Sequence, residues 1–162
     1  MALPVWTLTQ VVDQLDAEQR WFNPTITYAF PTSAAGMYVT GGEDQAFLAV
    51  NGAQATVLAL ALKTWDDLIP QQFQQTTASN SNIEFAYSGH MAGNAYAYGY
   101  FPTNGSVWFS SSAAYNQGTG NLLAPVVGRY GFMTFMHEIG HALGLNHMGD
   151  YDASAPGGVH PY

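Results

Sequence analysis

The spacing of apolar residues along the chain predicts two long helices and one shorter helix. Residues 51–69 carry leucines, a tryptophan and an isoleucine at three- and four-residue steps, which is the period of one helix face, and Pro70 then ends the pattern. A shorter helix is predicted over residues 9–19, because its apolar residues fall on one face. The second long helix is expected to begin at about Tyr130.

Short segments with a different period predict strands. Residues 94–100 alternate small and aromatic side chains, and a period of two is typical of a strand. Three further strands are predicted over residues 25–30, 83–87 and 107–110. The polar stretch 71–82 is expected to be a connection. Together these elements indicate an α+β fold in which a twisted mixed β-sheet is backed by two long helices.

Composition and charge narrow the classes of partner. The chain has 162 residues, enough for one domain with a sizeable core. Three basic residues face 11 acidic ones, which gives a formal net charge of −8. Such a surface repels polyanions and argues against nucleic acid or an anionic membrane as a partner. No stretch approaches the roughly 18 consecutive apolar residues of a membrane span, and the absence of cysteine excludes thiolate metal ligands.

The clearest chemistry lies in residues 137–147, which read HEIGHALGLNH. His137 and His141 are four residues apart, so on a helix both rings project from one face and can bind one metal ion. Glu138 is rotated by about 100°, away from the ligands but within reach of a water on the metal, where a general base must lie. Gly144 can end the helix with a positive φ, and the chain can then return His147 to the same ion.

The competing interpretation of this run is a helix with surface histidines, or a closed zinc site with a structural role. A closed site needs a fourth ligand, and the chain has no cysteine to offer. Three nitrogen ligands instead leave one tetrahedral position open, as in catalytic zinc sites. The remaining histidines, His90 in a glycine-flanked loop and His160 in a tail rich in proline and glycine, are expected to be exposed. The motif therefore predicts one catalytic Zn²⁺.

Residues 137–147 and their surroundings resemble the metzincin metallopeptidases, and within them the serralysin branch. The run GRYGFMTFM at residues 128–136 is similar to the family's approach to its zinc helix. His147 is followed by MGDY, similar to the family's PGDY. The resemblance implies a zincin-like upper subdomain whose second long helix carries the zinc motif. It also implies a secreted, extracellular protein, and the N-terminus carries no recognisable signal peptide.

The chain departs from the serralysin pattern after His147. Family members place a methionine-containing turn beneath the zinc and a further subdomain after it, whereas 15 residues follow His147 here. Residues 1–162 are therefore expected to be a metallopeptidase catalytic domain truncated after the third zinc ligand, with weak zinc binding or poor cleavage by this chain alone. Ca²⁺ is expected only if the full-length protein has a C-terminal repeat region. The resemblance leaves open two further partners, a proteinaceous inhibitor and a separate C-terminal chain that completes the active site.

The resemblance also assigns a role to the predicted strand at residues 94–100. In metzincins an edge strand above the active-site helix pairs with the substrate chain as an added strand. The substrate-binding residues implied here are Asn94, Ala95, Tyr96, Ala97 and Tyr98. The competing interpretation is an interior strand whose tyrosines pack in the core.

The predicted function is that of a zinc-dependent endopeptidase that hydrolyses polypeptides. His137, His141 and His147 are the predicted metal ligands, and Glu138 is the predicted general base for water attack on the peptide carbonyl. Two alternatives stay open. The first is a non-catalytic assembly or binding module, or one half of a split enzyme, that keeps the zinc helix as a structural element. The second is a metal hydrolase that acts on a non-peptide amide or ester.

Overall fold

The computed structural model describes residues 5, 7–77 and 81–147 of the chain. Helices and strands follow one another in the order α1 (Leu8–Leu15), β1 (Thr25–Ala29), β2 (Phe47–Leu48), α2 (Gly52–Asp66), β3 (Gln72–Gln75), β4 (Ile83–Ser88), β5 (Ala97–Gly99), β6 (Ser106–Ser110) and α3 (Tyr130–Ala142). Short 3₁₀ helices lie at Glu43–Ala46 and Ala92–Asn94. The mixture confirms the predicted α+β fold.

The strands form one mixed sheet in the order β3-β1-β4-β6-β5. Strand β1 is parallel to β3 and to β4, β4 is parallel to β6, and β5 runs antiparallel to β6. Strand β2 pairs with the end of β4, off this path. Every residue of β4 and β6 is buried, as expected for central strands covered on both faces. Strands β3 and β5 therefore lie at the two edges of this sheet.

The larger hydrophobic core lies between the sheet and the two long helices. Its fully buried side chains include Leu58 and Leu62 of α2, Phe85 and Phe109 of the central strands, and Phe135 and Ile139 of α3. Burial of one such side chain contributes roughly 1.5–3 kcal/mol. A smaller core on the opposite face of the sheet contains Met37, Ala86, Met91 and Trp108. Helix α3, which carries the HEIGH run, is thus fixed against the sheet along one face.

Local signals set the beginnings of the first two helices. Thr7 precedes α1 and Asn51 precedes α2, and each exchanges hydrogen bonds with a glutamine three residues later in a capping box. The predicted helices are confirmed, although the first two end at Leu15 and Asp66, a few residues before their predicted ends. In the described part of the chain, no helix has the length and apolarity needed to cross a membrane.

Two segments differ from the sequence expectation. The stretch 71–82, expected to be a connection, contains strand β3, whose backbone pairs with β1 although its side chains show no apolar alternation. The predicted strand 94–100 is wrong at its N-terminal side, where the strand begins at Ala97. Gly93 and Asn94 have φ values of 61° and 57°, in the left-handed region, and a strand cannot run through them.

Candidate active site

Three imidazole rings meet at the C-terminal end of α3. The Nε2 atom of His137 lies 3.1 Å from that of His141 and 3.1 Å from that of His147, and the third side of the triangle is 3.0 Å. Nitrogens that share one tetrahedral ion at about 2.0–2.1 Å lie roughly 3.3 Å apart. The histidines therefore form a cluster of the size that one zinc ion requires.

The backbone carbonyl of Leu145 orients the middle histidine. Nδ1 of His141 lies 2.7 Å from this oxygen. A carbonyl can only accept, so Nδ1 carries the hydrogen and Nε2 keeps its lone pair for the cluster. Burial lowers the pKa of His141, although its bond to Leu145 works against that, and burial together with His147 lowers the pKa of His137. Both shifts favour the neutral imidazole, which is the form that binds metal.

The turn after α3 brings the third histidine back to the other two. Gly144 has φ +100°, a left-handed conformation that glycine adopts without strain. The N–H groups of Gly144 and Leu145 donate to the last carbonyls of the helix, each at 2.9 Å. The helix ends here as the sequence predicts, and His147 lies two residues after this turn.

Glu138 lies on the buried side of α3. It is 6% exposed, and its Oε2 atom has no hydrogen-bond partner among the described residues. Burial raises the pKa of Glu138 to about 7, and a backbone hydrogen bond from Gly99 offsets only part of this. A buried carboxylate oxygen without a partner is costly to a fold, and active sites are where such groups are commonly found.

Strand β5 passes directly over Glu138. The carbonyl of Tyr96 and the N–H of Tyr100 each bond to β6 at 2.9 Å. Because bonded and non-bonded residues alternate in an antiparallel pair, Ala97 and Gly99 direct their N–H and C=O groups away from β6, towards the open edge. A Cβ at Gly99 would collide with the backbone oxygen of Glu138. The close approach of strand and helix therefore depends on this glycine.

A cavity of about 260 Å³ adjoins the histidines. Its walls include Leu15 of α1, Trp65 of α2 and Leu145 after α3. The Trp65 indole N–H donates to the Met136 carbonyl at 3.1 Å, and its ring packs beside Gly140. Trp65 is thus half-buried and faces both the core and the cavity.

Behind β5, the carboxylate of Glu43 holds the strand from its other face. Glu43 is 0% exposed. It accepts hydrogen bonds from the hydroxyls of Tyr98 and Tyr100 and, at 2.9 and 3.2 Å, from the backbone N–H groups of Gly41 and Thr40. Burial by itself raises the pKa of Glu43, but these hydrogen bonds outweigh it and lower the pKa below its usual value.

The five predicted substrate-binding residues do not all lie in one strand. Ala97 and Tyr98 lie in β5, whereas Asn94 belongs to a 3₁₀ helix, and Ala95 and Tyr96 precede the strand. Of the two remaining histidines, His90 is exposed and lies outside the cluster. His160 and the MGDY run at 148–151 lie outside the described residues.

Three contributors to the site were missed by sequence reasoning. In the sequence, Gly99 is one of several small residues in an alternating run, Leu145 acts through its backbone, and Glu43 lies in a 3₁₀ helix far from the motif. A signal was available for Gly99 alone, since a glycine inside a strand often marks a close backbone approach.

Comparison with known families and proteins agrees with this geometry. The profile of the Matrixin family of peptidases matches residues 20–154. The chain therefore belongs to the Matrixin family of peptidases, and the family implies zinc as the metal.

Among individual proteins, the chain is similar to serralysins, as the sequence predicts. It is 39% identical to Serralysin A of Dickeya chrysanthemi over 79% of this chain and 27% of that protein. It is 32% identical to Serralysin G of the same organism over 93% of this chain and 34% of that protein. The corresponding values for Metallopeptidase AprA of Pseudomonas marginalis are 30%, 93% and 33%. The chain thus spans between 27% and 34% of the length of these relatives.

Proposed function

We propose that this chain carries the zinc site of a secreted metalloendopeptidase that hydrolyses polypeptides. The observation that carries the proposal is the triangle of Nε2 atoms of His137, His141 and His147, with sides of 3.0–3.1 Å, beside an open cavity. These three residues would hold the ion. When bound there, zinc supplies Lewis acidity towards a carbonyl oxygen and lowers the pKa of water.

Glu138 is the proposed general base. It is adjacent to a ligand in sequence but does not belong to the cluster of three histidines. Its Oε2 has no hydrogen-bond partner among the described residues and can accept a proton. From this position the carboxylate takes a proton from the attacking water and delivers it to the amine of the leaving peptide. The hydrogen bond from the Gly99 backbone orients the carboxylate group during both transfers.

The edge of β5 is the proposed binding surface for the peptide. Among the five predicted substrate-binding residues 94–98, Ala97 is the strand residue whose N–H and C=O point away from β6. These groups can pair with an extended substrate as an added strand. Gly99 presents the next outward groups, and its N–H already serves Glu138. The backbone of the substrate would therefore run alongside β5 and pass over the HEIGH helix.

Zinc binding and peptide cleavage by matched variants test the proposal. Alanine at His137, His141 or His147 should abolish both. Glu138→Gln should keep zinc bound and slow hydrolysis of a fluorogenic peptide by about 10²–10⁴-fold. His90→Ala, the control, should change neither. Hydrolysis that survives Glu138→Gln while zinc stays bound would show that the cleavage does not arise at this site and would favour the non-catalytic module. Cleavage of esters but not peptides would favour the non-peptide hydrolase.

A further inference from the structure

The N-terminal segment, defined here as residues 15–21, lies against the turn that leads to the third histidine. Asp16 and Leu145 form an isolated antiparallel bridge. The Asn146 N–H donates to the Leu15 carbonyl at 2.7 Å, and the Ala17 N–H donates to the Gly144 carbonyl at 3.0 Å. These bonds join parts of the chain that are more than a hundred residues apart in sequence.

Two further contacts extend this pairing back to the end of α3. The Trp21 indole N–H donates to the Ala142 carbonyl at 2.8 Å, one of the last helix carbonyls, which have no partner within the helix. The Gln19 carbonyl fills the space beside Gly144 so completely that a Cβ there would collide with it. The N-terminal segment and the turn therefore fit each other closely on either side of the left-handed glycine.

This turn affects the positions of two of the three imidazoles. Leu145 accepts the hydrogen bond that orients His141, and Asn146 directly precedes His147. Within the described residues, the helix itself holds the turn only as far as the N–H of Leu145. The next residue, Asn146, is held by the hydrogen bond from its N–H to the Leu15 carbonyl, directly before the third ligand.

We propose that the N-terminal segment is a positioning element for the zinc site, acting through the Ala17 N–H and the Trp21 indole on the turn that carries His147. The inference rests on the proposed function, in which three histidines hold zinc. Without the segment, the turn could still form its helix-end bonds, but His147 would sample positions outside the triangle. Positioning groups of this kind typically change metal affinity by 10–100-fold.

A pair of tryptophan substitutions tests the proposal. Trp21→Phe removes the hydrogen bond to Ala142 and keeps an aromatic ring in place. Trp108→Phe is the matched control, because its indole N–H also donates to a backbone carbonyl, that of Tyr38 at 3.0 Å, on the opposite face of the sheet. Zinc affinity is measured by chelator competition. Binding of Co²⁺ in place of zinc gives a visible absorption that reports the ligand geometry.

We expect Trp21→Phe to weaken zinc binding by about 10-fold and to alter the Co²⁺ spectrum, with Trp108→Phe binding zinc like the wild type. Ala17→Pro removes a second bond of the N-terminal segment and should have the same effect. Thermal unfolding of the metal-free proteins shows whether each variant is folded. Wild-type zinc affinity and Co²⁺ spectra in folded Trp21→Phe and Ala17→Pro would overturn the inference. Failure of the wild type itself to bind zinc would overturn the proposed function instead.

Discussion

Gly99 lies so close to the backbone oxygen of Glu138 that any side chain at position 99 would overlap it. The edge strand and the HEIGH helix therefore approach each other most closely at Gly99, next to the backbone of Glu138. This contact places the outward N–H of Gly99 on the Glu138 carboxylate and sets the height of β5 above the histidines.

Gly99→Ala should force strand and helix apart. Overpacking of this kind costs about 1–3 kcal/mol, and the lost hydrogen bond to Glu138 should slow peptide hydrolysis further. Urea unfolding and steady-state kinetics measure the two effects. Gly52→Ala is the control, because a Cβ at that position in α2 meets nothing within 4 Å. Equal stability and activity of the two variants would show that the close approach is not required.

Ala97→Pro should separate peptide binding from folding. The Ala97 N–H points to the open edge, where proline is tolerated in strands, so we expect a nearly unchanged melting temperature and a raised KM. Tyr98→Pro removes an N–H that faces β6 and should lower the melting temperature. The proposed substrate edge would be wrong if Ala97→Pro left KM unchanged.

Glu43 should make stability depend on pH in the acid range. Its pKa is lowered by folding, so the ionised carboxylate stabilises the fold above the unfolded pKa of about 4.3. This contribution is lost as the pH falls through the lower, folded pKa. Glu43→Gln should therefore be less stable than the wild type at pH 7, and the difference should shrink as the pH is lowered below about 4.

Urea midpoints at several pH values measure this difference for Glu43→Gln. Asp44→Asn removes the neighbouring, exposed carboxylate and controls for the loss of one negative charge. A constant difference between wild type and Glu43→Gln at all pH values would contradict the role of the buried carboxylate.

Zinc should stabilise the folded protein by mass action. At free zinc 100-fold above its Kd, the gain in unfolding free energy is about 2.7 kcal/mol, and a chelator should reverse it. His147→Ala should lose most of the gain, whereas His90→Ala should retain it. The melting temperature of each variant is measured with zinc and with a chelator. A wild-type melting temperature that does not change with zinc would argue against the three histidines as metal ligands.

Local spacing explains how much of the site could be predicted from sequence. The step from His137 to His141 and the glycine at position 144 act within one helix and one turn, so the cluster could be inferred without any tertiary information. The long helices could be predicted from apolar periodicity because that signal is also local to one helix. The start of β5 could not be found, since side-chain alternation does not reveal the left-handed φ of Gly93 and Asn94.

Long-range backbone contacts account for what could not be predicted. The pairing of Asp16 with Leu145 joins segments whose side chains show no matching pattern. Strand β3 likewise pairs with β1 through main-chain hydrogen bonds, and its glutamine side chains are as typical of a loop as of a strand. The carboxylate of Glu43 reaches β5 only after the chain has folded, across 55 residues of sequence.

Strand β3 has a consequence for how the protein behaves in concentrated solution. It lies at the sheet edge opposite β5 and consists of three glutamines and Phe73, with none of the lysines or prolines that usually protect such an edge from pairing with another molecule. Stacked glutamine amides stabilise cross-β assemblies. Aggregation should therefore start at this strand, and a lysine at the exposed Gln74 should raise the solubility limit.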